Sequence, residues 1–196
     1  MVISLEYLIH SQRKSGNESF IGLESTLLDY WRWAHSDIAS NSERGKLAEY
    51  IVKCAVNAPS QCRVEWDAVD IVSAAGVKIE VKSSAYLQTW KCSKFSSIQF
   101  DIAPKRSWFS ETNEYSDSIC RNSDVYVFCL FASQDPATAD PLNLTQWEFY
   151  IISTKVLNEC IPNQKPITLN SLKKLGAQKA NYESILDTIN TILQQT

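Results

Sequence analysis

The run Val125-Tyr126-Val127-Phe128-Cys129-Leu130-Phe131 is apolar at every position, and no other stretch constrains the fold as strongly. A strand alternates its side chains between two faces, so a strand apolar throughout must be covered on both. It is too short to span a bilayer, which needs roughly 20 apolar residues. The run therefore predicts the central strand of a sheet with further layers above and below. Trp147 to Ile152 is a second strand of similar character, and Gln134 to Leu144 between them reads as an Asp-, Pro- and Asn-containing loop.

Helical spacing precedes this region. Leu23, Leu27, Tyr30, Trp31 and Ala34 recur at helix period from Leu23 to His35. Asn41 and Ser42 are N-cap candidates for a second helix that runs to about Val56, with Leu47, Ile51 and Cys54 or Ala55 as its apolar stripe. Ala58-Pro59-Ser60 ends it. At the other end, Asn170 is placed to cap a short helix ending at Gly176, and Ile185, Ile189 and Ile192 or Leu193 mark a final amphipathic one. The expected architecture is a single α/β domain over 1–196, with 1–40 as a helical extension, 41–160 as the core and 161–196 as C-terminal helices.

With 19 Lys+Arg against 22 Asp+Glu, the chain is nearly neutral. A purely electrostatic nucleic-acid binder is excluded, because counterion release needs a basic excess. An enzyme with a local basic patch is not. The six cysteines form no C-x-x-C pair, and His10 and His35 stand in no zinc-finger spacing to them, so buried reduced thiols are expected rather than a structural metal centre. Met1 to Ser11 lacks a basic stretch followed by an apolar one, which leads to the expectation of a cytoplasmic protein with no membrane partner.

Chemistry concentrates between Trp66 and Ser84. Asp70 to Ser73 and Val77 to Lys82 read as strands joined by Ala74-Ala75-Gly76. If those three residues form the loop, Ser73 pairs with Val77 and Asp70 falls opposite Glu80, at a Cβ separation of about 4.5–5.5 Å. Glu80 and Lys82 then share one face, and Ile79 and Val81 the other. Two carboxylates so close repel unless a cation lies between them. A hard divalent ion such as Mg²⁺ takes oxygen ligands. The same pattern on an exposed hairpin would be no more than solvated cross-strand charge. Asp67 is a rival for the aspartate, but this register sets it opposite Ser83.

Glu49 on the helix, Asp70, and Glu80-Val81-Lys82 together resemble the PD-(D/E)xK nucleases, the superfamily of restriction endonucleases, Holliday-junction resolvases and many repair nucleases. The segment from Trp66 to Trp90 is also similar to a group of bacterial proteins of unassigned role. Val69 stands where the name-giving proline would be. The resemblance implies a restriction-endonuclease-like mixed β-sheet flanked by helices. It implies a deoxyribonuclease acting with Mg²⁺ or Mn²⁺, bound by Asp70, Glu80 and the Val81 carbonyl. In it Lys82 orients or activates the attacking water, and Glu49 serves a second ion or an associated water.

Gln88, flanked by Tyr86 and Trp90, would contact a nucleotide or steady Lys82, unless the two aromatics are core. Lys91, Lys94, Lys105 and Arg106 form either a phosphate patch or a solvated face. Asp117 and Asp124 read as turn residues. DNA is the expected partner, although nothing in the motif separates it from RNA. A two-fold homodimer would permit double-strand cleavage, but no sequence feature marks its surface. A non-cleaving binding module on the same fold is the competing reading.

Overall fold

A computed structural model describes residues 13–59, 62–63, 67–90, 93–109 and 114–195. Trp66, Lys91, Cys92 and His10 lie outside the described residues. Among the described residues no helix is long and apolar enough to cross a membrane.

The chain divides into two compact units. The first holds α1 (Leu27–His35). Its start is set by a capping box in which Thr26 Oγ1 accepts the Asp29 N–H and the Asp29 carboxylate accepts the Thr26 N–H. This displaces the start expected at Leu23, which is exposed. Gly16, at φ +95°, lets the chain pass under Trp31: an added Cβ would sit 3.0 Å from the indole.

The second unit comprises residues 37–59 and the chain from 67 onward. It contains α2 (Asn41–Ala55), β1 (Ile71–Val72), β2 (Lys78–Ala85), β3 (Gln99–Asp101), β4 (Lys105–Phe109) and β5 (Glu114–Cys120). It continues with β6 (Val125–Phe131), β7 (Trp147–Ser153), α3 (Thr154–Cys160), β8 (Pro166–Thr168), α4 (Leu169–Lys174), β9 (Gln178–Ala180) and α5 (Ile185–Gln194). Five strands form a mixed sheet in the order β1-β2-β6-β7-β9, in which only β2 and β6 are parallel. Asp124 opens that parallel ladder: its carboxylate accepts the Lys78 N–H and its own N–H donates to the Lys78 carbonyl, both at 2.8 Å.

All seven residues of β6 are buried, as the apolar run requires. One face of the sheet, with Ile79, Val81, Val127, Cys129 and Phe149, packs under α2 and α5 through Ala48, Ile51, Val52, Ile185 and Ile189. The other, with Tyr126, Phe128, Leu130, Tyr150 and Ile152, is covered by Phe100 of β3, Ile167 of β8, Leu157 of α3 and Leu172 of α4. The architecture is thus the expected mixed α/β sheet between helices, ending in a C-terminal helix.

Several local expectations are corrected. The α2 cap is Ser40 rather than Asn41 or Ser42, because its hydroxyl reaches the Glu43 N–H. Thr168, not Asn170, caps α4. Asp117 lies inside β5, which pairs with β4 as an exposed ribbon, not in a turn. Of the described cysteines only Cys129 is buried; Cys54, Cys120 and Cys160 are exposed free thiols.

Candidate active site

The hairpin forms in the expected register, with Ile71 opposite Ile79 and Val72 opposite Lys78. Ser73 N–H donates to the Val77 carbonyl at 2.9 Å, and Val77 N–H returns a bond to Ser73 Oγ at 3.1 Å. Gly76 closes the three-residue loop at φ +82°, the left-handed conformation that glycine tolerates best.

The paired register stops one residue short of Asp70 and Glu80. Strand pairing ends at Ile71, so the Asp70 side chain takes over from the backbone: its Oδ2 accepts the Val81 N–H at 2.7 Å. In an antiparallel ladder, hydrogen-bonded positions alternate. Counting from the Ser73–Val77 pair, the Val81 carbonyl also points to the β1 side, next to Asp70. Asp67 is exposed and its Oδ1 accepts the Ala68 N–H, whereas the charge felt at Glu80 is that of Asp70.

Glu80 and Lys82 sit beside Tyr126 and Phe128 across the parallel ladder. Their side chains are 17% and 19% exposed, and Lys82 Nζ donates to Glu80 Oε1 at 2.5 Å. Burial pushes the Glu80 carboxyl above its ordinary range, and the Asp70 charge adds to this; Lys82 and Lys105 oppose the shift without cancelling it. Burial alone would lower Lys82. The charges of Glu80 and Asp70, the bond to Glu80 and the charge of Asp101 outweigh it, so Lys82 is held as a cation.

Asp101, which the sequence did not single out, belongs to this electrostatic group. It pairs with Lys105 at 3.0 Å. Burial would raise its carboxyl, but the Ala103 N–H, Lys105 and Lys82 bring it below the usual range. The only signal in sequence is its place between Phe100 and Ile102, where alternation turns it away from the core. Of the expected phosphate patch, Lys94, Lys105 and Arg106 are all exposed.

Two expected members stand apart. Glu49 is half-buried on α2, but α2 covers the Ile79 and Val81 face, whereas Glu80 and Lys82 point to the other. Gln88 does not steady Lys82: its Nε2 donates to the Ala85 carbonyl at 3.1 Å and to Ser96 Oγ at 2.9 Å. Nor is Trp90 a core residue, being 53% exposed.

The fit to a cation rests on the crowding of Asp70 and Glu80. Two carboxylates and a main-chain oxygen on one side of a strand offer hard ligands only, with the remaining positions left to water. No group of three His, Cys, Asp or Glu side chains converges among the described residues.

The sequence matches the family described as bacteriophage T4 endonuclease IV over residues 26–171. The chain belongs to the bacteriophage T4 endonuclease IV family. The span shared with the T4 endonuclease IV family starts at the cap of α1 and reaches into α4. It includes Asp70, Glu80 and Lys82, and leaves β9 and α5 beyond it. No curated protein matches the chain. Among solved structures, the bacterial homing endonuclease I-Ssp6803I is similar at 19% identity and a TM-score of 0.38, over 80% of this chain and 95% of that one.

Proposed function

We propose that this member of the T4 endonuclease IV family is a metal-dependent nuclease of the PD-(D/E)xK type that hydrolyses DNA phosphodiester bonds. The observation that carries the reading is the Asp70 carboxylate bonded to the Val81 N–H, between Glu80 and Lys82, with Lys82 bonded in turn to Glu80. Asp70, Glu80 and the Val81 carbonyl would hold Mg²⁺ or Mn²⁺. A divalent ion there supplies Lewis-acid polarisation of the scissile phosphate and lowers the pKa of nearby water.

The chain's own residues do the rest. Lys82, a cation at neutral pH, would donate hydrogen bonds to the attacking water or to a phosphate oxygen and stabilise the negative charge carried by the phosphate oxygens in the transition state. Asp70, tethered to the Val81 N–H, and Glu80, backed by Tyr126, are preorganised, so little side-chain freedom is lost on binding. Lys105, drawn toward Asp101, stands close enough to act on Glu80 and would meet an adjacent phosphate.

Incubation with linear, circular, branched and single-stranded DNA in Mg²⁺ and in Mn²⁺ tests this reading. Lys82→Ala should cut about 10²–10³-fold more slowly while keeping its metal affinity. Glu80→Ala should lose both activity and metal binding, the latter read by calorimetry. Wild-type protein that cleaves none of these substrates in either metal, or Lys82→Ala that cleaves at the wild-type rate, defeats the assignment.

A further inference from the structure

Beyond the carboxyl ends of the parallel strands β2 and β6 lies a cleft of about 720 Å³, whose walls include Tyr86, Gln88, Trp90, Lys94, Phe95 and Phe131. The segment that leaves β2 contributes Tyr86, Gln88 and Trp90 to these walls. That segment is closed at its base: Ser96 N–H donates to the Tyr86 carbonyl at 2.9 Å, and Gln88 clamps Ala85 and Ser96 together through its two Nε2 bonds. Its described residues include two exposed aromatics. Trp90 and Phe95 are 53% and 54% exposed, and Phe95 meets Tyr86 edge-to-face at 6.3 Å. Lys94, also exposed, lines the same cleft. Gln88 Oε1 is buried without a partner among the described residues, an acceptor that a donor on a ligand's edge would satisfy once Gln88 moved aside.

Flat apolar rings held open next to a cation match one ligand chemistry closely: a nucleobase with its phosphate. A base inside a duplex offers only its edges, so its face can reach Trp90 or Phe95 only when it is out of the stack. Tyr86 packs against the core on the sheet face that carries Glu80 and Lys82, and follows Lys82 by four residues, roughly 13 Å along a strand. A base seated here would therefore belong to a nucleotide close to the one being cut.

We propose that this cleft is a base-stacking subsite, which takes an unpaired nucleobase against Trp90 and Phe95 while Lys94 meets the neighbouring phosphate. The proposal rests on the nuclease reading above but names residues outside the hydrolytic group.

Fluorescence anisotropy of a labelled single-stranded oligonucleotide, in EDTA so that nothing is cut, provides the test. Trp90→Ala should bind about tenfold more weakly, Trp90→Phe should recover most of the affinity, and Trp90→Leu should not. Wild-type tryptophan emission should change on binding. Because Trp90 is more than half exposed, the melting temperature should hold in each variant. Wild-type affinity in the Trp90→Ala, Phe95→Ala double variant, or equal recovery by Phe and Leu, overturns the subsite. If the double variant keeps wild-type affinity and the wild-type protein cleaves DNA, the subsite alone fails. Trp90-dependent binding without any cleavage in Mg²⁺ or Mn²⁺ would instead sink the nuclease reading and uphold the subsite.

Discussion

Arg121 is 7% exposed and has no carboxylate partner in its hydrogen-bond set. Its guanidinium donates instead to the carbonyls of Ile102, Ile161, Pro162 and Gln164 and to Asn158 Oδ1, at 2.7–3.3 Å. Four of the five acceptors lie in or just after α3, where the unpaired carbonyls of the helix end gather negative potential. Arg121→Met fills similar volume but strands those acceptors, so stability should fall by about 3 kcal/mol in urea denaturation. A loss below about 0.5 kcal/mol would show that water replaces the guanidinium at little cost. Arg44 makes the contrast: 4% exposed, it donates to the Ala39 carbonyl and Asn41 Oδ1 yet leaves Nε without a partner among the described residues, and burial draws its pKa down. Neither arginine declares this in the sequence, because an arginine that snorkels to water and one that is swallowed whole have the same neighbours along the chain.

Among the elements, β9 is the sheet's second edge, and a polar clamp helps to hold it there. Lys179 of β9 donates to Glu148 of β7 at 2.5 Å, and Tyr150 gives its hydroxyl to the same carboxylate at 2.7 Å. Burial would raise Glu148, but the Lys179 and Tyr150 bonds and the charges of Lys179 and Lys173 set it below the ordinary glutamate range. A carboxyl depressed on folding contributes stability that is complete above its unfolded pKa, about 4.3, and is lost as pH falls through the folded value. Glu148→Gln should thus be less stable than wild type at pH 6, with the gap closing by pH 3; a gap equal at both values would exclude the carboxylate as its source.

Legibility from sequence also sorts by element. The hairpin register around Gly76 and the doubly buried β6 could be read in advance because burial and backbone sterics leave few alternatives for those residues. The β4–β5 ribbon was missed, since its described residues are largely exposed and an exposed strand need not alternate. Three-residue strands such as β8 and β9 exist only through their partners, Gln99 to Asp101 and Phe149 to Ile151. At the candidate site, the spacing of Asp70, Glu80 and Lys82 along the hairpin was legible because one loop length sets it. Asp101 was not, since a fold from a separate sheet delivers it. The role of Glu49 could not be read the same way, because a helical stripe shows which side packs, not which face of the sheet receives it.

For the whole molecule, the sheet is strongly graded. β6 is paired on both sides along its full length, whereas β1 meets β2 through only two residue pairs. Hydrogen exchange should reveal the gradient, because amides near weakly held edges open without global unfolding. The Val81 N–H, secured by the Asp70 side chain, should exchange far faster than the amides of Val127 and Cys129. Equal protection would mean that the edge opens only when everything does. If the gradient is real, the pair of carboxylates can be taken apart and reassembled many times within the life of one folded molecule. Competence at the site would then be an equilibrium of its own, and a substitution in the short edge strand could switch off hydrolysis without moving the melting temperature.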